Sequence, residues 1–283
     1  MSVVLTQYLE KLATEHTPLW IDAWAYGKAL LARGGEPPWG DVGELVAYHR
    51  QLQSLVGSDI VVVELESFYH SWLQQSPGLL AAMAAKKRLG YALRTLLANT
   101  AAREHLHEIV DALAGLYPDR PVLLALPSPK HWMAIAYCQA HALNEVEVSW
   151  DDAESASMYI ADYLRSLADC DISGLVLRDS EGPSTDEEVA RYQPVLNVAD
   201  HYRWQVVLDG CSQGYQSGSG QGVSFCLGDS SGNSGCRKAS LDAWQSGATE
   251  NSAFLYLTIP VDAVPESVLE WLEAAISGTM ISP

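Results

Sequence analysis

The chain is short of positive charge: 17 Lys and Arg stand against 35 Asp and Glu in 283 residues, a formal net charge of -18. A field of that sign repels nucleic-acid phosphates and anionic lipid headgroups. General nucleic-acid binding and peripheral membrane attachment are therefore excluded. An anionic substrate would need a local cluster of Arg, Lys or backbone N–H groups. No uncharged apolar run reaches about 18 residues, so no membrane-spanning helix is expected. The opening stretch MSVVLTQYLEKLATEH lacks a basic segment followed by a long apolar one, so a cytoplasmic location is expected. Cysteines are few, at positions 138, 170, 211, 226 and 236, and none form C-x-x-C. An odd count without an export signal reads as reduced thiols and excludes zinc-ribbon and dithiol redox spacings. H-E-x-x-H is absent, and no glycine cluster completes a Walker A or dinucleotide fingerprint, so no nucleotide is assigned.

What the chain does have is apolar mass, 48% hydrophobic residues with 9 Trp and 13 Tyr, enough for a large folded core. Short apolar runs alternate with longer helical stretches. Eight runs read as strands: Leu19–Asp22, Ile60–Glu64, Val122–Leu126, Val146–Ser149, Gly174–Leu177, Gln205–Leu208, Val223–Leu227 and Phe254–Thr258. Several are apolar throughout, as strands buried on both faces are. Leu79–Gly115 suits one or two helices, and Asp151–Ala168 carries apolar residues at helical spacing. Thr185 and Glu188 form a capping box, and Pro265–Ala275 opens with a first-turn proline. The alternation predicts an α/β fold with a parallel sheet, and eight units predict a single (β/α)8 TIM barrel spanning residues 1–283. A doubly wound sheet is the alternative. Cys211–Cys236 is rich in Gly and Ser with almost no charge, and reads as a surface loop or a mobile lid over the site.

Barrel enzymes carry their chemistry at the carboxyl ends of the strands. The residues there are Asp22 then Lys28; Glu64 and Glu66 then His70; Ser128, Lys130 and His131; Asp151 and Asp152; Arg178, Asp179 and Glu181; Asp209 and Cys211; and Asp229. Such a ring of acids can bind a cation, transfer protons or cradle a cationic substrate. The candidate catalytic residues are Glu66, Asp179, Asp209 and His70. Asp22, Lys28, His131, Arg178 and Glu181 are candidates for binding substrate. Glu64 shares strand parity with Glu66 and is its competitor. His105 and His107 read as solvated helix residues.

Four segments, in one order along residues 17 to about 210, carry a likeness. They are Thr17-Pro-Leu-Trp20, Asp59-Ile-Val-Val-Val-Glu-Leu-Glu66, Pro121–Met133 (PVLLALPSPKHWM) and Leu177–Pro194 (LRDSEGPSTDEEVARYQP). They resemble strand and turn motifs of the uroporphyrinogen decarboxylase superfamily, which also includes zinc-dependent methyltransferases of corrinoid metabolism. The resemblance implies a TIM barrel. It places the family's catalytic aspartate on Glu66, one methylene longer. The decarboxylase's arginine-rich run after the first strand is replaced by Asp22-Ala-Trp-Ala-Tyr-Gly-Lys28, which argues against a porphyrin with many carboxylates. The methyltransferases' H-x-C falls on Asp209-Gly-Cys211.

Three functions are consistent with this pattern. The first is a lyase, most simply a decarboxylase that needs no cofactor and uses strand-end carboxylates to move a proton. The second is a zinc-dependent methyltransferase or demethylase, with Asp209 and Cys211 as ligands and Cys226 or Cys236 completing the shell. The third is a barrel that binds but does not catalyse. The expected partner is a small-molecule substrate, and a homodimer with a second copy of the chain is left open. No zinc is expected with the leading reading.

Overall fold

The computed structural model describes residues 3–179, 183, 185–210, 222–227, 236–239 and 254–277, with 236–239 and 274–277 described by their backbone alone. In chain order the elements are α1 (Leu5–Leu12), β1 (Leu19–Asp22), α2 (Trp24–Leu30), α3 (Val42–Val56), β2 (Val61–Glu64), α4 (Leu65–Gln75), α5 (Pro77–Met83), α6 (Leu89–Leu97), α7 (Thr100–Leu116), β3 (Val122–Pro127), α8 (Pro129–His141), α9 (Trp150–Arg165), β4 (Gly174–Arg178), α10 (Asp186–Ala190), α11 (Gln193–Tyr202), β5 (Gln205–Asp209), β6 (Phe225–Leu227), β7 (Cys236–Ala239), β8 (Phe254–Thr258) and α12 (Pro265–Ser277). The fold is mixed α/β with parallel sheets. No helix among the described residues is long and apolar enough to cross a membrane.

Local chemistry sets the helix ends. Asp41 accepts from the Glu44 N–H at 2.9 Å and starts α3, and Gly57, at φ 62°, ends it in the left-handed region. Ser128 caps α8, with Pro129 in the first turn. Ser149 with Asp152, and Thr185 with Glu188, close full capping boxes on α9 and α10. The stretch from Leu79 divides into more helices than expected. Lys86-Lys87-Arg88 separates α5 from α6, and Asn99 caps α7 by accepting from the Ala102 N–H.

All strand pairs are parallel. Five strands run in the order β2-β3-β4-β5-β6 and three in the order β1-β8-β7. The two sheets meet at two joints. At one, β6 lies beside β7. At the other, the Asp59 N–H donates to the Leu19 carbonyl at 2.9 Å, and the Ile21 N–H donates to Ser58 Oγ at 3.1 Å.

Side chains alternate across the strands. One face of β2–β6 packs against the helices and holds the largest core, including Val63, Leu124, Leu126, Leu175, Leu177, Val206, Leu208 and Cys226. The opposite face builds a second core from Trp20, Leu123, Ala125, Val176, Val207, Leu227, Phe254 and Tyr256, to which α1 adds Leu5 and Leu9. Members of both sheets thus share one apolar interior. At the carboxyl ends of its strands that interior becomes ionic: Trp20 is followed by Asp22, Val62 by Glu64, Val176 by Arg178 and Val207 by Asp209.

One expected strand is absent. Val146–Ser149 is irregular and leads into the capping box of α9. It has no lateral partner, because β3 already pairs with β4 along Leu123–Pro127. The strand missing from the expected set is β7, whose sequence CRKA lacks an apolar run. The segments 211–221 and 228–235, which hold most of the proposed lid, lie outside the described residues.

Candidate active site

Arg178 ends β4 and gathers the carboxylates. Its Nη2 lies 2.7 Å from Glu64 Oε1 on β2, and its Nη1 lies 3.3 Å from Asp22 Oδ2 on β1. Tyr256 on β8 donates its hydroxyl to the same Asp22 oxygen at 2.8 Å. Residues distant in sequence meet here because their strands share inward parity at neighbouring ends. Arg178 pairs in register with Asp209 on β5. Both carboxylate partners hold the guanidinium's pKa further above its ordinary value, against the effect of burial. Tyr256 is pushed well up, first by burial and then by the charge of Asp22.

A second group adjoins the first. Ser128 donates its hydroxyl to Asp179 Oδ2, and Tyr192, the residue before α11, donates to the same oxygen at 3.1 Å. The Asp179 N–H donates to the Asp209 carbonyl at 2.8 Å. Gly210 sits in this crossing at φ 101°, and a Cβ there would stand 1.7 Å from the Asp179 carbonyl oxygen. Only a residue without a side chain allows the chain ends of β4 and β5 to approach so closely. A cavity of about 830 Å³ opens beside Asp179, lined also by Lys130, His131 and Cys138 from α8.

Glu64 is buried, with 7% of its surface exposed. Burial pushes its carboxyl up to about 7, and Arg178 pulls it back less than burial and the charges of Asp22, Glu66 and Asp209 raise it. The pair thus holds a carboxyl that is part protonated near neutrality. The folded state keeps this proton and the unfolded chain, near the ordinary value of 4.5, does not. The resulting stability is present below pH 4.5 and is lost as pH rises to about 7. The stability difference between the parent and Glu64→Gln is therefore expected to move against the parent across that window and to level off above it. Urea unfolding at several pH values measures it, and a difference that is flat from pH 4.5 to 7 would contradict the burial argument.

The sequence-predicted residues divide into two sets. Asp22, Arg178, Asp179 and Asp209 come together at the strand ends. Glu66 does not join their contacts: α4 begins at Leu65, the parity shared with Glu64 ends there, and Glu66 is exposed in the first turn of the helix, from where its charge reaches Glu64. His70 is exposed one turn further on, its Nε2 2.9 Å from Gln74 Nε2. Lys28 is occupied by Glu36, 2.5 Å away, and Glu36 also accepts from Ser67 Oγ. His131 lies in the first turn of α8, half-buried at the large cavity, and its N–H donates to Ser128 Oγ. Glu181, Cys211 and Asp229 lie outside the described residues. The sequence reading missed Tyr192 and Tyr256. Tyr256 was recoverable, since it shares inward parity with Phe254, whereas Tyr192 carries no signal.

Of the zinc ligands the sequence suggests, Asp209 and Cys226 are described, whereas Cys211 and the Cys236 side chain lie outside the described residues. Asp209 stands at the strand ends, whereas Cys226 belongs to the core on the helix side of β6. No family model matches the chain, and no curated protein matches it.

Proposed function

We propose that the chain is a small-molecule lyase of the decarboxylase type, built on a (β/α)8 barrel, with Glu64 rather than Glu66 as the proton carrier. Closure into eight strands is supported by the two joints, β1 to β2 and β6 to β7, and by the interior shared by both sheets. The motif order that resembles the uroporphyrinogen decarboxylase superfamily agrees with this reading. The observation that carries it is the buried Glu64 carboxyl held against the Arg178 guanidinium at the ionic end of that interior.

Arg178 anchors the carboxylate of the substrate while Glu64 is protonated. A second anion at Arg178 raises the Glu64 pKa further, so the acid keeps its proton as substrate binds. The bond to the carboxylate carbon breaks, CO2 leaves, and the electron pair on the substrate carbon takes the Glu64 proton. The new Glu64 carboxylate pairs with Arg178 and regains a proton from solvent. Proton and charge stabilisation both come from the chain, and no cofactor enters the step.

The test is CO2 release from a panel of small carboxylic acids. Glu64→Gln keeps the shape and is expected to lose at least about 100-fold in turnover, with Glu66→Gln within a few-fold of the parent. Equal activity of Glu64→Gln and the parent would remove Glu64 from the reaction. Binding of an acid without turnover by the parent would favour the binding-barrel reading.

A further inference from the structure

We propose that His107, Asp111 and Cys170 form a zinc site, separate from the strand-end cluster and independent of the proposed reaction. His107 and Asp111 stand four residues apart on α7, on one face of the helix, with His107 Nδ1 3.1 Å from Asp111 Oδ2. Cys170 arrives from the turn between α9 and β4. Its backbone is pinned by its own N–H to the Leu167 carbonyl and by its carbonyl to the Ile172 N–H. One ligand atom from each of the three residues lies within 4.8 Å of the other two.

The donor set is what a borderline-soft divalent ion takes: one imidazole nitrogen, one carboxylate oxygen and one thiol sulfur. Oxygen-seeking cations such as magnesium and calcium have no use for the sulfur or the nitrogen. Tetrahedral ligands at zinc bond lengths stand about 3.3–3.8 Å apart; the imidazole and carboxylate already stand 3.1 Å apart, and no ligand atom need move in by more than about 1 Å. His107 and Asp111 side chains are 37% and 52% exposed and are free to swing inward, while Cys170 is buried and fixed. Three protein ligands leave a fourth position for solvent. The Cys170 thiol gives up its proton to buffer when the metal–sulfur bond forms.

Cobalt is the probe, because a thiolate bound to Co2+ absorbs in the near ultraviolet through sulfur-to-metal charge transfer. The full chain, stripped with chelator, is titrated with Co2+ and then with Zn2+. One equivalent of Co2+ is expected to produce the band, and Zn2+ to abolish it by displacement. Cys170→Ser is expected to lose the band, and His107→Ala, an exposed change that leaves the core intact, to weaken binding at least about 10-fold. Cys211→Ala is expected to keep the band. Absence of the band in the parent overturns the proposal, as does a band that survives in both Cys170→Ser and His107→Ala. Loss of the band in Cys211→Ala also overturns it, by moving the metal to the strand ends.

Discussion

Arg178→Met is expected to destabilise the protein by about 3–5 kcal/mol, because it leaves the buried Glu64 and the half-buried Asp22 beside each other without a cation. The loss is not the worth of two ion pairs. Most of it is the cost of a buried acid and a half-buried one that no longer have a counter-charge, and Glu64 offsets part of it by taking up a proton. In a chain of this size the change corresponds to a fall in melting temperature on the order of 10 °C. The control is the combined replacement Asp22→Asn, Glu64→Gln and Arg178→Met, which removes the charges together and is expected to recover a large part of the loss. Guanidinium unfolding of the three proteins, parent, single and combined variant, decides the matter. A loss below about 1 kcal/mol in Arg178→Met would mean that water reaches these carboxylates freely.

Gly210→Ala is expected to cost at least about 3 kcal/mol, from two causes that act at once. The backbone stands at φ 101°, where a side chain is strained, and the added methyl meets the Asp179 carbonyl oxygen at 1.7 Å. No rotamer change relieves that contact, since both atoms belong to the backbone path. Either Asp179 leaves its hydrogen bond to the Asp209 carbonyl or β5 shifts at its end. Gly57→Ala is the matched control: φ is 62°, nothing lies within 4 Å of the added carbon, and only about 1 kcal/mol is expected. Equal losses at the two positions would show that backbone strain alone, without the close crossing, governs Gly210.

Much of the fold was legible because buried parallel strands have a distinctive composition. LWID, VVVE, VLLALP and FLYLT announce themselves, and their last inward residues, Asp22 and Glu64 among them, were findable by counting. The failures have physical causes. Val146 and Val148 alternate with glutamates as a strand would, yet strand identity depends on a partner, and β3 and β4 had already paired with each other. CRKA has no such pattern and becomes β7 only by lying against β8. Glu66 was misplaced because α4 starts directly on the last strand residue, without Pro, Gly or a capping side chain to mark the change of period. The spacing of His107 and Asp111 was visible too. Cys170 joins them only through the tertiary fold, and no local pattern links it to α7.

The pairing of β1 with β8 sets the order in which a newly made chain can complete itself. Leu19 pairs with Leu255 and Ile21 with Leu257, so β1 leaves the ribosome long before the ladder partner it needs. At about 5–20 residues per second the interval is roughly 10–50 s. During that time β2 to β6 emerge in sequence, each beside its neighbour, and that sheet can assemble as it is made. β1 meanwhile holds only the joint through Ser58 and Asp59, with Trp20 still lacking Phe254 and Tyr256 against its ring. The nascent protein therefore carries β1 as an unpaired apolar strand until β8 arrives, which makes LWID the natural target for a holding chaperone and for aggregation when synthesis stalls.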